Sequence, residues 1–301
     1  MTHAFGSLLF LLLHLFLQLE AQEPMLPFFL ETHTYVVRGQ DSLQLDLRMP
    51  QLPAGQGTGI VFLHGGGFQT GSRDARPVAA FLDAMASQGI PSASIDYRLT
   101  MAGRGYGCDI PAEDKRRAVA IAAEDALAAL NWLVYRDDGP LLKNGWVIAG
   151  SSAGAEAALF AAYSATPEQW QGALSFSGAL DATIRPDPLH PPLFAIHGTC
   201  DPLVPVGAAL HHFCPDDAPG AWPLIGGPAW ADSLHTVNVP SWTHRTCGGG
   251  HVICNTGMLD PEIQTMVVQW LSGQWSAPLE VTVDQNGVRH QGRVSCPQPC
   301  N

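Results

Sequence analysis

The stretch Gly150-Ser151-Ser152-Ala153-Gly154 constrains this chain more than any other. A short apolar run, Trp146-Val147-Ile148-Ala149, leads into it, and an alanine-rich stretch from Ala155 to Tyr163 follows. An apolar strand, Gly-x-Ser-x-Gly and then a helix former is the pattern of a nucleophile elbow, a tight strand-to-helix turn with serine at its apex. Glycines two residues either side remove Cβ atoms that would clash in such a turn. The turn lifts the Ser152 hydroxyl clear of the sheet and aims a helix N-terminus at it. A Gly/Ser turn has the same composition, so the motif gains meaning only if a base, an acid and oxyanion donors lie elsewhere in the chain.

Periodicity supplies the frame. Tyr35-Val36-Val37 and Leu43 to Leu47 alternate around Gly39-Gln40-Asp41, which predicts a hairpin with one wet face. Gly59-Ile60-Val61-Phe62-Leu63 is continuously apolar, the mark of a strand covered on both faces. Further strands are expected at Pro91 to Tyr97, Ala173 to Phe176, Leu193 to Ile196 and Val237 to Trp242. Helical spacing is expected at Pro77 to Gln88, Asp114 to Tyr135, Ser152 to Tyr163, Val206 to Phe213 and Pro261 to Leu271. Residues 24 to 32 read as an irregular lead-in, 215 to 234 show little regular signal, and 275 to 301 read as a tail. Strands alternating with helices imply an α/β fold, a mostly parallel sheet of about eight strands with helices on both faces. No stretch is large enough for a separate cap.

Three glycine-rich or turn segments follow buried strands and supply the missing chemistry. His64-Gly65-Gly66-Gly67-Phe68 comes directly after Leu63, and glycines there let backbone N–H groups converge on one spot. Gly66, Gly67 and Ala153 are the candidate oxyanion donors. His197-Gly198-Thr199-Cys200-Asp201 ends the strand at Leu193, placing Asp201 at the carboxyl edge of the sheet as the candidate acid. Asp216 and Asp217 are its rivals, without that strand placement. Gly248-Gly249-Gly250-His251 offers the base, because an imidazole can take a serine proton and return it to a leaving alcohol. His244 is the rival, and His197 reads as packing under the acid loop. Phe68 and Trp242 are candidate substrate contacts, as are Trp222 and Trp230, against the alternative of core packing. No metal ligand set or cofactor motif is read.

Compartment and partners follow from the ends and the charge. Leu8 to Leu19 is apolar except for His14 and Gln18 and is too short to span a bilayer. With Leu19-Glu20-Ala21 as a cleavage site, residues 1–21 read as a signal peptide and 22–301 as one catalytic domain, although the leading Met1-Thr2-His3 carries no Lys or Arg. The seven cysteines then read as disulfides of a secreted or periplasmic protein. Neighbours in sequence suggest Cys200–Cys214, Cys247–Cys254 and Cys296–Cys300, leaving Cys108 unpaired. A net charge of −12 without a basic stripe disfavours nucleic acid and anionic membranes, and no lipobox cysteine offers a membrane anchor.

The order Ser152, Asp201, His251 together with His64-Gly65-Gly66-Gly67, Asp96-Tyr97-Arg98-Leu99, Glu124-Asp125 and His197-Gly198-Thr199 resembles the carboxylesterase and lipase branch of the α/β-hydrolase superfamily. The likeness runs from about Tyr35 to Leu271. It implies an α/β-hydrolase fold, an acyl-enzyme on Ser152, and Asp201 orienting His251. Asp96, Arg98 and Asp125 are then structural. The hormone-sensitive-lipase-like branch has Gly-Asp-Ser-Ala-Gly-Gly at its elbow and a helical cap. This chain has Gly150-Ser151-Ser152-Ala153-Gly154-Ala155 and no evident cap, closer to uncapped secreted bacterial esterases of the feruloyl-esterase type. The implied substrate is a small-molecule or polymer-borne ester. Two rivals stand beside this reading: a serine peptidase on the same fold, and a non-catalytic binding protein.

Overall fold

The computed structural model describes residues 27–51, 57–136, 145–273, 277–296 and 300. The expected signal peptide, residues 1–21, lies outside them. The hairpin forms first: β1 (Phe28–Arg38) pairs antiparallel with β2 (Asp41–Pro50). The strands β3 (Gly59–Leu63), β4 (Ser92–Ile95), β5 (Trp146–Ser151), β6 (Ala173–Phe176), β8 (Leu193–Gly198), β11 (Ser241–Thr246) and β12 (Leu279–Val283) then run parallel. With β13 (Arg289–Gln291) they make a ten-stranded sheet of order β1-β2-β4-β3-β5-β6-β8-β11-β12-β13. A small antiparallel sheet of β7 (Ala179–Asp181), β9 (Ala208–Leu210) and β10 (Pro223–Gly226) stands beside it. Among the described residues no large cap is inserted.

Successive residues on a strand point to opposite faces, and here both faces are covered. Val61, Leu63, Ile148 and Ala195 join one core cluster with α2 (Ala112–Tyr135), α3 (Ala153–Phe160) and α4 (Gly227–His235). Ile60, Phe62, Val147, Ala149, Phe194 and Ile196 join a second with α1 (Arg76–Ser87), α5 (Ile253–Thr256) and α6 (Pro261–Leu271). This two-sided burial is why those strands read as unbroken apolar runs. Among the described residues α2 alone is long and apolar enough to cross a bilayer, and its apolar face belongs to the first core cluster. Proline starts α1 and α6, and the Asp260 side chain caps α6 by accepting from the Glu262 and Ile263 amides.

Several expectations fail for local reasons. The lead-in is part of β1, because pairing with β2 gives its backbone a ladder from Phe28 onward. Val206 to Phe213 is strand β9 followed by a 3₁₀ turn, His211–Phe213. Within 215 to 234 lie β10 and α4, and the tail contributes β12 and β13 to the sheet. The helix after the elbow is α-helical only to Phe160 and continues as a π-turn, Ala161–Ala165.

The disulfide pairing also differs from the expected one. The bridges are Cys108–Cys214, Cys200–Cys300 and Cys247–Cys296, and the free thiol is Cys254, buried. Sequence proximity misled because Cys200 and Cys247 both follow carboxyl ends of adjacent parallel strands, and the chain beyond β13 returns across that edge. The Cys200 and Cys247 bridges therefore tie two neighbouring loops to one C-terminal segment.

Asp125 on α2 supplies a further anchor. It is fully buried and accepts from the Arg98 backbone amide at 2.9 Å and from the Arg98 guanidinium at 2.8–3.0 Å. It fixes the chain leaving β4, a structural role in line with the sequence reading. Asp125→Asn is expected to lower unfolding stability by about 2–3 kcal/mol, through loss of charged hydrogen bonds to a partly buried arginine, measured by urea denaturation. Replacing both Cys200 and Cys300 by Ser opens a loop of 100 residues. The expected loss is about 2–4 kcal/mol, read as a lower denaturation midpoint with an increased m-value.

Candidate active site

Ser152 sits at φ 52°, ψ −124°, a backbone conformation that non-glycine residues rarely occupy. Its neighbours hold it there. A Cβ on Gly154 would lie 2.2 Å from the Leu63 carbonyl oxygen and 2.4 Å from that of His64. A Cβ on Gly150 would lie 2.3 Å from the Gly154 oxygen. Only glycine lets the first turn of α3 dock this closely on the end of β3. The Ser152 amide donates to the Phe176 carbonyl at 2.9 Å, and the Ser152 carbonyl accepts from the Glu156 amide at 3.0 Å.

The segment after β3 turns back at Gly66, whose carbonyl accepts from the Gln69 and Thr70 amides. Tyr97 donates to the His64 carbonyl at 2.6 Å and stacks on the His64 ring at 4.5 Å. Among the described residues the Gly66 and Gly67 N–H groups donate to no backbone carbonyl. Gly66, Gly67, Ser152, Ala153 and His251 line one cavity of about 500 Å³.

The acid and base loops meet across adjacent strands β8 and β11. The Thr199 amide donates to Thr246, that of Cys200 to Gly249, and that of Gly248 to the Thr199 hydroxyl, all at 2.9–3.0 Å. This lacing brings His251 Nδ1 to 2.7 Å from Asp201 Oδ2 and His251 Nε2 to 2.8 Å from Ser152 Oγ. The other Asp201 oxygen accepts from the Leu203 and Val204 amides at 2.9 Å. Burial opposes charge on Asp201, but hydrogen bonds with His197, His251 and the Val204 amide outweigh it and hold the carboxyl below its ordinary range. Burial likewise opposes charge on His251. The Asp201 hydrogen bond and the neighbouring Cys254 overcome that penalty and raise the imidazole above its ordinary value. A carboxylate can only accept, so in the neutral ring Nδ1 carries the proton toward Asp201 and Nε2 accepts from the serine hydroxyl. Such an arrangement can withdraw the Ser152 proton as the oxygen attacks.

The rivals lie elsewhere. His244 is buried within β11, and among the described residues neither ring nitrogen has a partner. Asp216 and Asp217 are exposed, and the carboxylate on His251 Nδ1 is that of Asp201. His197 is buried under the acid loop, with Nε2 3.1 Å from the Val204 carbonyl. The two expected substrate contacts are corrected. Phe68 is fully buried and packs on Tyr97 and Tyr106, because its positive φ of 57° turns the side chain into the core. Trp242 lies near the start of β11, against Phe194, and donates to the Ala277 carbonyl, far down the strand from the loop edge. Trp222 and Trp230 are also core residues. Side chains that the sequence reading passed over line the cavity instead: Tyr106, Glu156, His211 and His212. For Glu156 a signal existed, since it is the one charged residue in Ala153–Phe160. Among the described residues no group of three His, Cys, Asp or Glu side chains could hold a metal ion.

The BD-FAE family model matches residues 45–186, which includes the elbow and the turn after β3. No curated protein matches the chain. Among solved structures, esterase 2 of Thermogutta terrifontis is similar, with 19% identity, a TM-score of 0.58, and coverage of 84% of this chain and 97% of that one. An α/β-hydrolase enzyme, MGS-M1, from a Medee basin deep-sea metagenome library has 17% identity and a TM-score of 0.55, covering 83% and 98%. A dienelactone hydrolase from Anabaena variabilis has 23% identity and a TM-score of 0.50, covering 83% and 97%. Parallel strands, loop order and these likenesses lead to one conclusion: the chain has the α/β-hydrolase fold, of the kind found in esterases.

Proposed function

We propose that this chain is a secreted serine carboxylesterase that works through an acyl-enzyme on Ser152. The observation that carries the proposal is the continuous line from Ser152 Oγ through His251 to Asp201, at 2.8 and 2.7 Å, beside the Gly66, Gly67 and Ala153 amides. His251 Nε2 takes the proton as Ser152 Oγ attacks the ester carbonyl. The three amides stabilise the oxyanion, each contributing on the order of 3 kcal/mol to the transition state. The imidazolium, held by Asp201, protonates the departing alcohol. His251 then activates a water that releases the acid. Export is supported by the signal-peptide pattern of residues 1–21 and by the three disulfides.

Thermogutta terrifontis esterase 2 is phosphonylated by sarin and phosphorylated by paraoxon. The same class of reagent should modify this chain at Ser152. Turnover of p-nitrophenyl acetate or butyrate is expected to fall by about 10⁴–10⁶-fold in Ser152→Ala, with fluorophosphonate labelling abolished. Equal rates in wild type and variant would refute the assignment.

The raised His251 ionisation sets the pH response. The catalytic form is the neutral ring, which appears only above its folded pKa. The acid limb of kcat/KM for a neutral ester is therefore expected to have its midpoint above 6.5, the ordinary value for histidine. Asp201→Asn removes the carboxylate charge that strengthens this hydrogen bond and raises the ring, so the midpoint should move down while kcat falls by about 10⁴-fold. A pH–rate series on both proteins checks the shift.

A further inference from the structure

The turn after β9 holds two consecutive residues in a backbone conformation that favours neither. His212 and Phe213 have φ of 53° and 50°. For non-glycine residues this left-handed region costs free energy, so the surroundings must hold the turn there. The His211 amide donates to the Trp222 carbonyl at 2.8 Å, the His212 amide to the Leu203 carbonyl at 3.0 Å, and the Cys214 amide to the His211 carbonyl at 3.2 Å. The buried His211 ring stacks on His212 at 3.9 Å, and its Nδ1 lies 3.0 Å from the Lys115 ammonium. The Cys108–Cys214 bridge ties down the residue after Phe213.

The two residues serve different spaces. His212 lines the Ser152 cavity, and Phe213 lines a neighbouring open groove of about 510 Å³. Phe213 is 53% exposed and belongs to neither core cluster. A fold that merely needs a left-handed residue here is better served by glycine or asparagine. A phenylalanine held in that conformation and left half in water points to a use for its ring. Residues 201–205 divide the two spaces: Leu203 and Val204 line the cavity, Pro202 and Pro205 the groove. Leu203 is itself exposed, and its carbonyl is the one that holds His212. Val206 and the Cys200–Cys300 bridge complete the groove wall. The one charged residue in this lining is Asp201, buried with both oxygens engaged. The one side-chain hydroxyl, that of Thr199, accepts from the Gly248 amide. Prolines, small apolar side chains and one aromatic ring, without free charge, suit hydrocarbon.

We propose that this groove takes an unbranched hydrocarbon arm of the ester, which leaves the Ser152 cavity past Leu203 and lies against Phe213. The inference rests on the esterase reading and names its substrate class: neutral esters that carry one medium-length or long alkyl chain. An anionic arm would find no Lys or Arg in either lining. Each methylene laid against Phe213 and the prolines leaves water, which strengthens binding by up to about fourfold per group. These contacts are remote from the reacting carbonyl and are equally strong before and during the attack. Their effect therefore falls on KM and not on kcat.

The test measures kcat/KM, below the solubility limit, for octyl acetate against ethyl acetate and for ethyl octanoate against ethyl acetate. At least about a tenfold preference for the long-chain ester, carried by KM, is expected in one pair. The pair that shows it tells whether the alcohol or the acyl side enters the groove. Phe213→Leu should keep most of the ratio, and Phe213→Asn should bring it near one. Asparagine tolerates left-handed backbone, so Phe213→Asn is also expected to unfold in urea at or above the wild-type midpoint. Ratios near one in both wild-type pairs overturn the groove and leave the esterase reading standing. A preference that survives Phe213→Asn overturns it too. So does a Phe213→Asn protein that is destabilised or fails to fold, since the ring would then serve the fold. Turnover of none of the esters, with no fluorophosphonate labelling, overturns the esterase reading and the groove with it.

Discussion

The contact on which the rest depends is the docking of the first turn of α3 against the last carbonyls of β3. Gly154 lies so close to Leu63 and His64 that no side chain fits between. This single approach fixes two things at once. It forces Ser152 into its positive-φ conformation, and it sets the turn after β3 beside the start of the helix. Gly66 and Gly67 come from one segment and Ala153 from another, yet one strand–helix distance brings all three to the wall of the same cavity. Packing density at a glycine thus becomes geometry at a serine.

Much of this was legible in the sequence because buried parallel strands announce themselves. Gly59 to Leu63, Trp146 to Ala149 and Leu193 to Ile196 are apolar on both faces since both faces are covered, and each is followed by a polar or glycine-rich loop. Parallel strands place those loops at one edge, so chain order alone grouped Ser152, Asp201 and His251. The less regular pieces were not legible. Residues 275 to 301 lack a long apolar run because β12 and β13 form the outer strands of the sheet, where half-exposed residues suffice. The cavity wall was misassigned for a related reason. Aromatic side chains such as Phe68 and Trp242 carry large apolar area, and here that area is used in the core. The wall was built from Glu156 and His211, whose proximity depends on a tertiary contact between α3 and the turn after β9.

The acid and base loops share their support. Backbone hydrogen bonds join Thr199 and Cys200 to Thr246 and Gly249, and the chain beyond β13 is bridged to both loops. Asp201 and His251 are therefore tied to one another by contacts that do not involve the elbow. Their 2.7 Å contact is set locally, whereas the 2.8 Å contact with Ser152 is set by the packing of β5, β6 and β8. A change in the outer strands would be felt through the second distance before the first.

The bridging pattern has a consequence for biogenesis. Closing a short loop costs less chain entropy than closing a long one. Each shortest closure available to these cysteines, Cys200 with Cys214, Cys247 with Cys254, and Cys296 with Cys300, is absent from the folded protein. As the chain emerges from its N-terminus, Cys247 meets Cys254 well before Cys296 has been made. Any bond formed between these sequence neighbours has to be exchanged by thiolate attack before the native bridges can close. Cys254 ends reduced and buried, so any bridge it forms early has to be undone before the fold is complete.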